Sequence, residues 1–485
     1  MQKGQSAPPR HAITRVTAVV AVVMVAAIAA TVAVAVWMQW RQTQIAPGEA
    51  APTAVELAVP AHRDGPVPDV AAALAAFDAD ERLGDWVGQV SDVATGQVVY
   101  SRHSEEPLRP ASITKLVTGL AAVHTLPLDA RVSTEVYRDP ADASTVYLRG
   151  NGDVWIDADA LDELAQIITA PASGSDSAVS GAASGSGLAA AAPVARILVD
   201  NSAWEAFPAW QPSWNPDDVA GGFIAPMEPL MMDVSPTPSL DVARAVADRV
   251  AGAQGTDPAS IAVDYGAVPG ALRSSADADS GRADADSGRA NAAAALGFVG
   301  EHLSDTLLDR LTQTLEFSNN IGAEALAREV ALATASEFAG ESPADSADPA
   351  DYPAALVRTV APLVAADSSQ LVLRDASGMS ADNRLTPAFV DGILQAAAHD
   401  TKLSPLLAAL PVAGGWGTLD ERMEGTPAQG WVRAKTGTLD GTSGLAGTVM
   451  GVDGSVFTFA FISNGSNVLE ARAALDEMAA VLRGL

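Results

Sequence analysis

The sequence predicts an α/β (α+β) chain. An antiparallel sheet flanked by helices is interrupted by a large insert and preceded by one transmembrane helix. Residues 16–38 hold no charged side chain; at roughly 1.5 Å rise per residue they can cross a hydrocarbon core of roughly 30 Å. Residues 86–100 alternate around Ala94-Thr95-Gly96, and 445–450 and 455–462 flank Asp453-Gly454, so hairpins mark both ends of the folded part. Between them, strand and turn signals at 131–148 and 195–240 are broken by Ala/Ser/Gly and Ala/Asp stretches, the texture of an insert with loops.

In chain order, residues 1–15 carry Lys3, Arg10 and Arg15 ahead of the apolar run. The positive-inside rule makes them a cytoplasmic tail, 16–38 a single-pass plasma-membrane anchor, and the remainder external. Trp37 and Trp40 suit a membrane interface; Ala33-Val34-Ala35 resembles a cleavage site, which would give a secreted protein instead. Residues 39–68 are a Pro/Ala-rich linker. The main domain starts at 69–130, with an amphipathic helix at 69–77, the hairpin, and a helix at 113–123 that Pro110 and Ser112 introduce. The insert occupies 131–300. Its stretch 170–193 and the duplicated seven-residue unit at 276–289 lack the large apolar residues that would offset ordering entropy, so both are expected to be mobile surface loops. The main domain resumes over 301–485, with a linker at 341–351, strands from 431 onward and a closing helix at 467–485.

Composition excludes several functions. A net charge of −30 argues against a nucleic-acid or anionic-lipid surface. The absence of cysteine removes disulfides and thiolate chemistry, and the six histidines form no H-x-x-x-H pair, so neither a metal nor a cofactor is expected.

Lysine carries the positive signal. Only four occur, at 3, 115, 402 and 435. Lys115 closes Ser112-Ile113-Thr114-Lys115, an S-x-x-K, and Lys435 opens Lys435-Thr436-Gly437-Thr438. Ser318-Asn319-Asn320, an S-x-N, lies between them. Arginine keeps its proton at working pH whereas a desolvated lysine can lose it, so lysines retained in an arginine-rich chain point to proton transfer. Ser112 is then the nucleophile, Lys115 the base, Ser318 a bridge carrying a proton towards the leaving amine, and Lys435 a nearby charge that depresses Lys115. Asn320 either fixes Lys115 or holds a substrate carbonyl. Gly437 lets the strand approach substrate without a Cβ in the way.

The order of these motifs marks a serine penicillin-binding or β-lactamase site. The chain resembles the class C low-molecular-mass penicillin-binding proteins, the D-alanyl-D-alanine carboxypeptidase/endopeptidases. The resemblance rests on 109–115 (Arg-Pro-Ala-Ser-Ile-Thr-Lys), 148–153 (Leu-Arg-Gly-Asn-Gly-Asp), 375–387 (opening Asp-Ala-Ser-Gly-Met-Ser), 411–414, 417–419 and 432–439, and spans most of 70–485. Ala376 stands where that family usually has glycine. The resemblance implies a serine β-lactamase/transpeptidase-like domain that removes the terminal D-alanine from peptidoglycan stem peptides, cleaves cross-links, and is acylated by β-lactams. It also implies an oxyanion site from the backbone N–H groups of Ser112 and Thr438; the Thr436 and Thr438 hydroxyls then hold a terminal carboxylate. A β-lactamase is the alternative, but no E-x-x-L-N follows Ser318. A non-catalytic wall scaffold is another, though it has no use for paired lysines. Trp204, Trp210 and Trp214 are expected to pack rather than bind, and Asp375 to serve a turn.

Overall fold

The computed structural model describes residues 67–170, 192–270, 297–338 and 351–485, all within one of the two compact units of the chain, Pro52–Leu485. The expected anchor at 16–38, most of the linker, and the stretches 171–191, 276–289 and 341–350 lie outside the described residues. Among the described residues no helix is long and apolar enough to cross a membrane.

Two five-stranded sheets organise the fold. The first contains β1 (Asp85–Asp92), β2 (Val98–Arg102), β8 (Val432–Leu439), β9 (Thr442–Met450) and β10 (Val456–Asn464), in the order β2-β1-β10-β9-β8 and antiparallel throughout. Its centre joins the two ends of the folded chain, since Asp85 pairs with Asn464 and Asp92 with Phe457. β10 is buried along nearly its whole length, with Phe457, Phe459 and Phe461 inaccessible. Helices on both faces explain why it lacks an apolar/polar alternation.

Those helices start where the sequence supplies caps. Thr386 accepts from Phe389 N at the start of α7 (Pro387–His399), and Asn467 accepts from Leu469 N and Glu470 N at the start of α8 (Val468–Arg483). Asp391 of α7 is fully buried and accepts from Gln89 Nε2 at 2.9 Å, Ser91 Oγ at 2.5 Å and Thr458 Oγ1 at 2.5 Å, tying α7 to β1 and β10. α1 (Lys115–Thr125), α4 (Leu307–Glu316), α5 (Asn320–Phe338) and α6 (Tyr352–Val360) complete the helical layer over α7. Two helix expectations need correction. The helix expected at 69–77 breaks into Val70–Leu74 and a 3-10 turn from Ala75, and the α-helix expected from 113 begins at Lys115, after a 3-10 turn at Ala111–Thr114.

The second sheet lies in the insert, with order β6-β5-β4-β3-β7. It comprises β3 (Ser133–Arg138), β4 (Thr145–Gly150), β5 (Arg196–Asp200), β6 (Ala262–Tyr265) and β7 (Phe298–Leu303). β4, β5 and β6 run parallel. Their crossovers carry α2 (Ala158–Thr169) and α3 (Pro238–Gln254), as parallel strands require. The insert is not wholly separate. After β5 the chain sends Trp204, Phe207, Trp214, Ile224 and Met231 into the core shared with α1, α5 and α7.

Candidate active site

Ser112 sits in the 3-10 turn between Pro110 and α1. Ala111, just before it, has φ +50°, a left-handed conformation that costs a non-glycine residue about 1–2 kcal/mol. Two contacts hold that strained residue. Thr114 Oγ1 donates to Ala111 O at 2.8 Å, and the loop carrying Gly378 presses on the same carbonyl. A Cβ on Gly378 would fall 2.0 Å from Ala111 O, and its φ of +87° also demands glycine.

Lys115 opens α1 and is fully buried. Its Nζ lies 3.0 Å from Ser112 Oγ, 2.7 Å from Asn320 Oδ1 and 2.6 Å from the Ser377 carbonyl. Two of these partners are carbonyl-type oxygens that only accept. Once the amine is neutral, its two N–H groups stay on them and its lone pair is left facing the serine hydroxyl. Burial takes the Lys115 pKa down to about 7, while the Asp375 and Glu324 carboxylates pull upward. These buried acids are neighbours the sequence did not point to, and they oppose the depression that burial causes.

Lys435, on β8, is buried as well, and its Nζ donates to Thr436 O at 2.9 Å. Burial, then repulsion from Lys115 and Arg422, hold its pKa well below the ordinary lysine value. The two amines therefore carry one proton more readily than two.

Ser318 occupies the joint between α4 and α5. Its φ is +55°, and Asn319 N donates back to Thr314 O at 3.0 Å, a Schellman closure with serine where glycine is usual. Asn319 then caps α5 by accepting from Gly322 N at 3.0 Å. The expected hydroxyl bridge between the lysines is not formed: the Nζ hydrogen bonds of Lys115 and Lys435 go elsewhere. Ser318 instead borders a cavity of about 380 Å³ lined also by Phe223, Met231, Asp233, Phe317 and Asn320. Asn320 fixes Lys115 with its oxygen and donates through Nδ2 to Phe223 O at 2.9 Å and Met379 Sδ at 3.1 Å.

β8 is an edge strand. Ala434 N reaches outward to Pro411 O at 3.0 Å, so by strand alternation the N–H groups of Thr436 and Thr438 point to that same outer edge. The Thr436 hydroxyl meets Thr418 Oγ1 at 2.9 Å, and exposed Thr438 accepts from Arg472 Nη2 at 3.2 Å. Gly437 also has a packing reason to be small: its Cβ would meet Pro110 O at 2.6 Å and Ile113 Cγ1 at 3.0 Å, so the glycine lets β8 lie against the Ser112 turn.

The structure thus brings Ser112, Lys115, Asn320, Lys435 and the Thr436–Thr438 edge around one turn, with Ser318 on the cavity side. Trp214 donates to Asp375 at 2.9 Å and Trp204 is buried, so these tryptophans pack. Sequence reasoning missed Glu324, Arg328, Tyr352, Thr418 and Arg472. Glu324 had a signal: a lone acid one helical turn past Asn320 in an apolar run.

Residues 70–263 and 272–485 match the model of the D-Ala-D-Ala carboxypeptidase 3 (S13) family. The chain belongs to that family. It is 36% identical over 465 residues to carboxypeptidase DacB of Mycolicibacterium smegmatis, covering 90% of each chain. To a D-alanyl-D-alanine carboxypeptidase of an Actinomadura species it is 29% identical, covering 80% of this chain and 79% of the other. Among solved structures it resembles penicillin-binding protein 4 of Haemophilus influenzae. The TM-score is 0.59 at 16% identity, covering 85% of this chain and 98% of that one, which is a likeness of fold. As an S13 member the chain is a serine-type D-Ala-D-Ala carboxypeptidase.

Proposed function

We propose that this S13 enzyme removes the terminal D-alanine of peptidoglycan stem peptides through an acyl-serine at Ser112, and that it also opens D-alanyl cross-links. The observation that carries the assignment is the buried Lys115 Nζ, 3.0 Å from Ser112 Oγ, with both other partners pure acceptors. Lys115 takes the Ser112 proton as Oγ bonds to the penultimate D-alanyl carbonyl carbon. The N–H groups of Ser112 and Thr438 receive the oxyanion, each worth roughly 3–4 kcal/mol. The C–N bond then breaks as Lys115 returns its proton to the leaving amine. Water, deprotonated by Lys115, releases the shortened peptide. Thr436 and Thr438 hold the terminal carboxylate, beside Lys435 and the Arg472 guanidinium. A β-lactam enters the same sequence through its ring amide, but its amine stays tethered.

The apolar run at 16–38 would hold this domain outside the plasma membrane. Incubating the soluble domain with muropeptides and weighing the products tests the reaction. Loss of one alanine from pentapeptides is expected, and cross-linked dimers should fall to monomers. Ser112→Ala should abolish both these losses and covalent penicillin labelling while melting normally. Labelling that persists in the mutant removes Ser112 as nucleophile.

A further inference from the structure

Behind the base lies a buried polar cluster that the reaction scheme does not use. Glu324 is fully buried on α5, one turn after Asn320. Its Oε1 accepts from both Ala376 N and Ser377 N at 2.9 Å. Those are the peptide groups leading into the Ser377 carbonyl that receives Lys115 Nζ at 2.6 Å. Its other oxygen takes the Tyr352 hydroxyl and Arg328 Nη1. Gln211 Nε2 donates to that Tyr352 oxygen at 3.0 Å, and Arg328 is enclosed by the Trp204, Phe207 and Tyr352 rings. From the far side Asp375 grips the same loop, accepting from Gly378 N at 2.9 Å, Ser380 N at 2.6 Å and Asn383 Nδ2 at 2.7 Å. Thr118 Oγ1 of α1 binds Ala376 O at 2.7 Å, so the loop is fastened to the helix that carries Lys115.

We propose that Glu324 is a positioning residue for the general base. It clamps the 376–378 backbone so that the Ser377 carbonyl aims Lys115 at Ser112, and its negative charge sets how readily Lys115 keeps a proton.

Each hydrogen bond that Glu324 makes through its carboxylate is from a donor, an arrangement that favours the ionised form. Burial and the Asp375 carboxylate push the Glu324 pKa up, and Arg328 with the Tyr352 and Ser377 donors opposes that rise and favours the charge. The charged and titratable groups facing Lys115 are Asp375 from the loop, Glu324 from α5 and Lys435 from β8. Those facing Glu324 are Arg328 on its own helix, Tyr352 from α6, Asp375 and Lys115. Removing the Glu324 charge therefore leaves Lys115 facing one carboxylate fewer and an uncompensated Arg328. Both changes favour neutral Lys115.

The sign is testable. Acylation by penicillin requires neutral Lys115, so its rate falls as pH drops through the Lys115 pKa of about 7. Glu324→Gln keeps the Oε1 acceptor but loses the charge. It should move that acid limb to lower pH by about one unit, the scale of a charge partner a few ångströms away. Glu324→Asp keeps the charge but is too short to reach both N–H groups, so its limb should stay near wild type while the plateau rate falls. A purely structural Glu324 would lower plateaus and leave both limbs in place. A limb unmoved in Glu324→Gln, or moved equally by both variants, overturns the role. Should Glu324→Gln fail to fold, Tyr352→Phe removes one donor to the carboxylate and should move the limb the same way by less; no movement overturns the role. This inference rests on Lys115 being the base. If Lys115 were not, the wild type would show no limb near pH 7, which separates that failure from failure of Glu324.

Discussion

In the proposed reaction two side chains decide the chemistry: a serine held in a strained turn and a fully buried lysine. Because the proposed task of Lys115 is to lose and regain a proton, charge alone is not enough. Lys115→Arg should be nearly as damaging as Lys115→Ala, since guanidinium stays protonated at any working pH. Second-order rates of penicillin acylation measure this, and near-normal acylation by the arginine variant would reduce Lys115 to a source of positive charge. At this scale the sequence was readable where rarity gave contrast. Four lysines made positions 115 and 435 stand out. Arg472 did not stand out, because arginines are common in this chain and only the fold makes it unusual; the place of Glu324 in an apolar run was a fainter signal, among many acidic residues. At Gly437 the missing Cβ says that something is near but not what, and the sequence did not show that the Pro110 carbonyl is one such neighbour.

Strands and helices were read well where their ends carried turn or cap chemistry. Asp453-Gly454 lies in the turn between β9 and β10, and Asn467, where the closing helix was expected to begin, caps α8. The reading slipped at 111–115, where a 3-10 turn precedes the α-helix; periodicity does not separate the two over four residues. It also treated the insert as one body, because hydrophobic pattern shows that Trp204, Phe207 and Met231 are buried but not against which helices. The contact between β8 and the Ser112 turn provides an element-scale prediction. Gly437→Ala places a Cβ at 2.6 Å from Pro110 O, so the strand must move away from the turn. Penicillin acylation should fall by at least about tenfold, the order of effect of misplacing reacting groups by a fraction of an ångström. The melting temperature should drop only modestly, since β8 is an edge strand with a sheet partner on one side. Wild-type acylation in that variant would show that the close approach is dispensable.

For the molecule as a whole, 59 acidic against 29 basic residues leave an exterior that repels anionic polymers and other copies of itself. Such a surface gives no attraction to an anionic leaflet, so the proposed attachment to the membrane would fall to the apolar run at 16–38. Protease added to intact, wall-stripped cells should digest the main domain while residues 1–15 stay protected. Protection of the main domain until lysis would reverse that topology. The fold class was legible because the motif order fixes which elements must converge, whereas the mixed order of the insert sheet left no local trace in the sequence.

The pairing of β1 with β10 has a consequence for how the protein is made. Among the described residues the strands paired with β1 are β2 and β10, and β10 is synthesised about 370 residues later. Until Val456–Asn464 has emerged, the first hairpin is a two-stranded ribbon with an open side, too small to be stable alone and able to pair with a neighbouring chain. Lys435 likewise has no sheet to sit on before β9 and β10 arrive. A partly made chain is therefore inert towards peptide bonds, and its latency ends only as the final strand and helix close the sheet.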